Sequence, residues 1–221
     1  MLLARREERL RTLAEEVKGE YEVCDVSNRE AVEATAARVL ERHPQVKLLV
    51  NNAGLSGRAG FLDGDPERID QVMRTNYLGG VWCLRAFLPA LEAARPSDVV
   101  NIVSVAGTVA FPPSGPYSAS KHAQLAFSRA TSASLRGRGI SVQTVNPGFV
   151  ETEGFPQRAV LRSPFFRRTV LEPEDIAAHV VGLIGKGPRE TTMPRWYRLP
   201  GILQALAPNL VARLVARRSG L

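Results

Sequence analysis

Tyr117 and Lys121 stand four residues apart in a segment with helical spacing, which puts a phenol and an ammonium on one helix face. A tyrosine with a pKa near ~10 is a poor base at neutral pH. A neighbouring ammonium favours the phenolate, and bringing that pKa to about 7 takes ~3 units, or ~4 kcal/mol of differential stabilisation. Taken alone, the pair reads more simply as solvated residues on a helix surface. Ser104 adds to it: it ends an apolar strand, before the small-residue turn VAG, where a hydroxyl can hydrogen-bond a carbonyl oxygen that is gaining charge. By itself it is a satisfied strand-end serine. Asn76, in NYLGG, is slightly unfavourable inside a helix. It either holds a water or a backbone carbonyl in a proton relay, or is a polar residue facing a loop. NNAG at 51–54 and NPGFVETEG at 146–154 each follow an apolar run. They read as polar turns, or as backbone suited to close approach by a ligand.

These residues need elements to position them. Residues 5–18 have helical spacing through Leu10, Leu13, Ala14 and Val17, and EYEVC at 20–24 reads as a strand. Ser27 is placed to cap a helix over 28–43, and KLLV at 47–50 is the next strand. Pro66 opens a helix to about residue 93, DVVNIVS at 98–104 is a buried strand, and Pro116 opens a helix to about 136. ISVQTVN at 140–146 is a strand, Pro173 starts a helix to about 184, and a last strand falls near 190–193. Val/Ile/Leu-rich strands alternating with helices predict an α/β fold, a doubly wound parallel sheet. In such a sheet ligands sit beyond the carboxyl ends of the strands, which is where the singled-out residues fall.

Composition sets outer bounds. A chain of 221 residues without repeats or Gly/Ser linkers is one large domain. Hydrophobic residues at 44% and charged residues at 23% exclude a mainly disordered or collagen-like chain. No run approaches the ~18 apolar residues of a membrane span. MLLARREERL turns charged after three residues, so neither a signal peptide nor an extracellular destination is expected; the expectation is a cytoplasmic protein. Cys24 and Cys83, 59 positions apart, form no disulfide framework or metal motif, and His43, His122 and His179 are scattered. The net charge of +7 comes from 29 Lys and Arg spread among 22 acids, so it does not predict nucleic-acid binding.

Together the motifs resemble the classical short-chain dehydrogenases/reductases, with a Rossmann-like sheet. The matching pieces are CDVS at 24–27, NNAG at 51–54, NYLGG at 76–80, Ser104 thirteen residues before YSASK at 117–121, and NPG at 146–148 with Thr152. Any one is short; the ordered set covers essentially all of residues 1–193. The resemblance implies hydride transfer between a nicotinamide cofactor and a carbonyl or alcohol. Tyr117 matches the acid/base, Lys121 the residue that lowers its pKa and binds the nicotinamide ribose, Ser104 the polarising hydroxyl and Asn76 the relay asparagine. Asp25 and Val26 match positions beside the adenine, and Asn51, Ala53 and Gly54 match the cofactor lining. Pro147, Gly148, Val150 and Thr152 match the segment against nicotinamide and pyrophosphate. Arg5 and Arg6 stand where NAD-preferring members carry an acid, so NADP is expected ahead of NAD; otherwise the pair forms a helix-start cluster with Glu7 and Glu8.

The family's opening strand and Gly-rich TGxxxGxG turn are not in the sequence. The expectation is a first strand–helix unit encoded upstream of Met1, with a truncated family member as the competing reading. The lost strand belongs between the second and fourth strand positions, and its absence should expose ladder edges there. A non-catalytic binding or regulatory protein is the rival from another class. Phe111, Pro112, Phe149, Phe155 and Phe165 favour a partly apolar substrate, whereas Arg158, Arg162, Arg167 and Arg168 in a lid over 151–170 favour an anionic one. Residues 1–193 form the expected domain, and 194–221 an amphipathic tail. In the tail Leu203, Leu206, Leu210 and Leu214 make a stripe interrupted at Pro208, near Trp196, Tyr197 and five arginines. Packing on a partner subunit or over the substrate pocket is the commoner fate of such a tail, and peripheral membrane contact the alternative. The resemblance also implies a homodimer or homotetramer built from the helices at 66–93 and 116–136.

Overall fold

The computed structural model describes residues 1–56, 60–152 and 169–219. Strands and helices alternate: β1 (Leu2–Ala4), α1 (Glu7–Val17), β2 (Tyr21–Val23), α2 (Arg29–Arg42), β3 (Leu48–Asn51), α3 (Pro66–Met73), α4 (Gly79–Ala93), β4 (Ser97–Ile102), α5 (Gly115–Leu135), β5 (Ile140–Pro147), α6 (Pro173–Leu183), β6 (Glu190–Met193), α7 (Arg198–Leu206) and α8 (Pro208–Ser219). Every strand pairing is parallel. The expected α/β architecture is therefore present, but in two ladders: β3-β4-β5-β6 and a separate pair, β1-β2.

The four-stranded ladder carries the core. Val99, Val100, Val142 and Val145 are fully buried on β4 and β5, as strands covered by helices on both faces require. Leu84, Leu91 and Leu135 pack on one side, and Ile176, Val180 and Leu183 of α6 on the other. Each such side chain contributes about 1.5–3 kcal/mol of burial. β1 and β3 each end their own ladder, and the halves meet through apolar contacts instead of backbone bonds. Leu3 and Leu49 join Ala36, Val39 and Phe87 in one cluster, and Cys24, Val32 and Cys83 form another. At the edge of the four-stranded ladder, Val50 near the end of β3 is 42% exposed.

Local chemistry explains where elements begin and bend. Asn28, not Ser27, caps α2, its Oδ1 accepting from the Ala31 amide at 2.8 Å. The Ser27 hydroxyl is committed elsewhere, donating to Asp25 Oδ1 at 2.7 Å. The helix expected over 66–93 contains a π turn at Arg74–Leu78 between α3 and α4. Gly79 then lets α4 cross the β2 end, because a Cβ there would come within 2.8 Å of Val26 Cγ2. Pro208 ends the expected tail stripe by starting a second helix. Among the described residues no helix is long and apolar enough to cross a membrane.

Candidate active site

The carboxyl ends of β3 and β4 and the first turns of α5 converge on one polar cluster. Ser104 follows β4 and caps the short turn Val105–Gly107, its Oγ accepting from the Ala106 amide at 3.1 Å. Gly107 brings that turn against α5, where a Cβ would lie 2.7 Å from the Lys121 carbonyl oxygen. This close seating explains why small residues follow Ser104. The Tyr117 hydroxyl is hydrogen-bonded to Ser104, which lowers its pKa, but burial is the larger influence and leaves it above the ordinary value. The expected lowering of Tyr117 by Lys121 is thus not seen in the chain alone.

Lys121 explains why. It is buried, with Nζ donating to the Ile102 carbonyl at 3.1 Å and to Gln124 Oε1 at 2.8 Å, and it lies 5.8 Å from the centre of the Tyr117 ring. Desolvation drives its pKa down to about 7, so near neutrality its positive charge is only partly present. The ammonium has three donors and these partners use two. Gly54 faces the remaining side: a Cβ there would meet Lys121 Nζ at 3.9 Å and Asn76 Oδ1 at 3.6 Å.

Asn76 sits on the π turn and is buried. Its Oδ1 accepts from the Leu55 amide at 2.7 Å, and its Nδ2 donates to the Leu55 carbonyl at 3.0 Å and to Ser120 Oγ at 2.9 Å. Ser120 in turn donates to the Tyr117 carbonyl at 2.8 Å. The extra residue of a π turn re-aims a side chain out of the helical ladder; here it clamps the segment after NNAG to α5. Sequence reasoning missed Ser120 and Gln124 as partners. The available signal was polar residues at 120, 124 and 128, one helix face that proves buried.

A second polar row crosses the sheet below. Asn51 and Asn101 are in register, as are Asn101 and Thr144. Asn51 Nδ2 donates to Asn101 Oδ1 at 2.8 Å, Asn101 Nδ2 to Ser128 Oγ at 2.9 Å, and the Ser128 and Thr144 hydroxyls lie 2.6 Å apart. The Asn51 side chain is thus committed to the sheet, while Ala53 is exposed and Gly54 opens beside Lys121.

The remaining predicted positions follow β1, β2 and β5. Arg5 and Asp25 meet beyond β1 and β2, Nη1 to Oδ2 at 3.8 Å and both about half exposed, so Arg5 pairs with Asp25 where Glu7 or Glu8 was the alternative. Arg6 is exposed at the entry to α1, and Val26 packs against Gly79. After β5, Pro147 is buried and the Gly148 amide donates to the Met193 carbonyl at 2.7 Å. The Tyr197 ring occupies the space over Gly148, and its hydroxyl donates to Thr169 Oγ1 at 2.8 Å. Val150 bridges Leu171, and Thr152 is half-buried. Phe111, Pro112 and Phe149 are exposed near this end. Phe155, Phe165, Arg158, Arg162, Arg167 and Arg168 lie outside the described residues.

Comparison with known proteins decides what this cluster belongs to. The family model described as short chain dehydrogenase matches residues 1–159. The chain belongs to the short-chain dehydrogenase family. It is 32% identical over 240 residues to a Xenopus laevis dehydrogenase/reductase SDR family member 7B, covering 99% of this chain and 73% of that protein. It is 34% identical over 216 residues to a putative ketoacyl reductase of Streptomyces coelicolor, covering 86% of this chain and 81% of the relative. An alcohol dehydrogenase from the archaeon Thermococcus sibiricus, solved with 5-hydroxy-NADP, superposes with a TM-score of 0.77 at 27% identity, covering 89% of this chain and 85% of the other. This short-chain dehydrogenase is accordingly an oxidoreductase with a Rossmann-like parallel sheet.

Proposed function

We propose that this short-chain dehydrogenase moves hydride between NADP(H) and a carbonyl or alcohol carbon, with Tyr117 as the proton donor and acceptor. The observation that carries this reading is the Tyr117–Ser104 hydrogen bond with buried Lys121 one turn on and Asn76 clamped beside them. When bound, the nicotinamide supplies or takes the hydride. Ser104 and Tyr117 together offer two hydroxyls to one substrate oxygen. Ser104 polarises it, and Tyr117 delivers the proton on reduction or removes it on oxidation. Asn76 holds the Leu55 segment in place and, through Ser120, fixes the turn that carries Tyr117.

The residues present fit the cofactor at two places. The Gly54 opening beside Lys121 Nζ leaves room where a side chain would stand, and the remaining ammonium donor suits a ribose hydroxyl. At the other end the Arg5–Asp25 contact is long and half exposed, so it holds Arg5 weakly. Arg5 is free to exchange Asp25 for a 2′-phosphate, with Arg6 next to it, and Asp25 and Val26 flank the adenine position. The arginines and the NADP form of the solved relative both support NADP over NAD. Pro147, Val150 and Thr152 belong to the nicotinamide side in this reading; Gly148 contributes its backbone only, since Tyr197 covers it. The substrate is a small carbonyl or alcohol entering past Phe111 and Phe149.

The test follows nicotinamide absorbance with a panel of aldehydes, ketones and quinones, each offered with NADPH and with NADH. Turnover that favours NADPH is expected. No oxidation of either cofactor across the panel, by protein that binds NADPH, would contradict the enzymatic reading. The same reading has the protein assemble as a dimer or tetramer through α3–α4 and α5, which light scattering checks.

A further inference from the structure

The tail carries an apolar stripe that faces away from the body. On α7, Leu199, Ile202, Leu203 and Leu206 follow i, i+3, i+4, i+7 spacing, and they are 62%, 51%, 39% and 81% exposed. The opposite side of α7 is the one that packs, with Gly201 seated on Thr108. On α8, Val211 is buried while Leu210 and Leu214 are 48% and 46% exposed, and Trp196 at the foot of α7 is 43% exposed. A surface helix normally turns its apolar stripe inward, so an outward one marks a contact surface.

Charge decides what covers it. From Thr191 to Leu221 the sequence contains five arginines (Arg195, Arg198, Arg213, Arg217 and Arg218) and no Asp, Glu or Lys. Arg195, Arg198 and Arg213 are exposed. The last acid in the sequence, Glu190, feels Arg198 but is already held by two hydrogen bonds from Arg129 at 2.8 Å. A second copy meeting this face across a two-fold axis would bring the exposed Arg195, Arg198 and Arg213 of both copies together with no acid from either tail, which like-charge repulsion opposes. An anionic lipid surface answers both features: the stripe enters the headgroup boundary and the arginines meet acidic headgroups. We propose that α7 and α8 dock this protein on anionic membranes, peripherally and with the helices already formed. Trp196 sits where an indole favours the interface.

The test uses vesicles of neutral phosphatidylcholine alone and vesicles containing an anionic phospholipid, with the full chain. Co-sedimentation with the anionic vesicles only, reversed by high salt, is expected. Replacing Arg195 and Arg213 by Ala should weaken binding roughly fivefold per residue, the factor for about 1 kcal/mol per basic residue near such a surface. Ile202→Ser with Leu206→Ser should abolish it, and because both side chains are exposed the circular dichroism should not change. Absence of sedimentation with anionic vesicles, or sedimentation that the serine pair leaves intact, would overturn the proposal. So would a serine pair that instead converts a dimer to a monomer in light scattering, which would make a second copy the occupant.

Discussion

Around β4 and β5 the fold is fastened several times over, whereas β1 and β2 hang on far less. Ser104, Tyr117, Lys121 and Asn76 stand at the end of a four-stranded ladder, on helices whose polar faces are tied into the sheet and the neighbouring loop. Arg5, Asp25 and Val26 stand at the end of two three-residue strands in a ladder of their own. Helix α2 and a few apolar contacts join that pair to the rest. The Tyr117 cluster is therefore held in place by the chain itself. The half that would choose between cofactors shares no ladder with the rest and is held to α2 by packing and by the ion pairs of Glu22 with Arg38 and Arg42. Two-stranded units are marginal by themselves, so the two halves should differ in local stability as well as in function.

The largest effect should come from Lys121. Lys121→Met should cut turnover by about 10²-fold or more and remove a slope from the stability curve. The ammonium titrates at about 7 in the folded chain against an ordinary 10.5. Between those values the unfolded chain binds the extra proton, so wild-type stability rises with pH across that window; below it the cost of burying the charge is fully present. Thermal melts from pH 6 to pH 10 should show wild type gaining on the methionine variant as pH rises. Parallel curves would mean that Lys121 is solvated in the folded protein.

Asn76→Ala comes next, because it removes three hydrogen bonds in a buried place. A loss of about 2–4 kcal/mol in denaturant unfolding is expected, with turnover lowered further by release of the Leu55 segment. A change under about 0.5 kcal/mol would show that this clamp is not made.

Arg5→Ala with Arg6→Ala sharpens the other half. It should weaken NADPH roughly tenfold, as for charge-assisted bonds at an exposed site, and leave NADH nearly unchanged in fluorescence titration. Equal weakening of both would make these arginines structural. The smallest effect is in amide exchange without any mutation. Amides of Tyr21–Val23 should exchange well before those of Val99–Val100 and Val142–Val145. Equal protection would show that the two ladders open together.

Much of this was legible from the residues. Strand–helix alternation placed most elements within a few positions, since Val-rich strands and Pro or acidic helix starts are local signals, but it did not place the three-residue β1. Exposed ladder edges were expected from the resemblance; the division of the strands into two separate ladders was not. The π turn was not: NYLGG keeps helical composition, and only the crossing of Val26 over Gly79 and the pull of Leu55 on Asn76 reveal it. Nor was the state of Lys121 legible, because spacing shows the neighbour on a face but not how far water is excluded from it. The cover of Gly148 by Tyr197 joins residues 49 positions apart, which no local pattern announces.

Tyr117→Phe tests the central claim most directly, because it removes one hydroxyl and leaves the ring in its packing. Turnover and NADPH binding are measured on the same samples, wild type beside variant. Turnover should fall by about 10³-fold or more, with NADPH affinity within a factor of about two, since the phenol and not the ring edge is lost. A variant that turns over within a few-fold of wild type would contradict Tyr117 as the proton-transferring group.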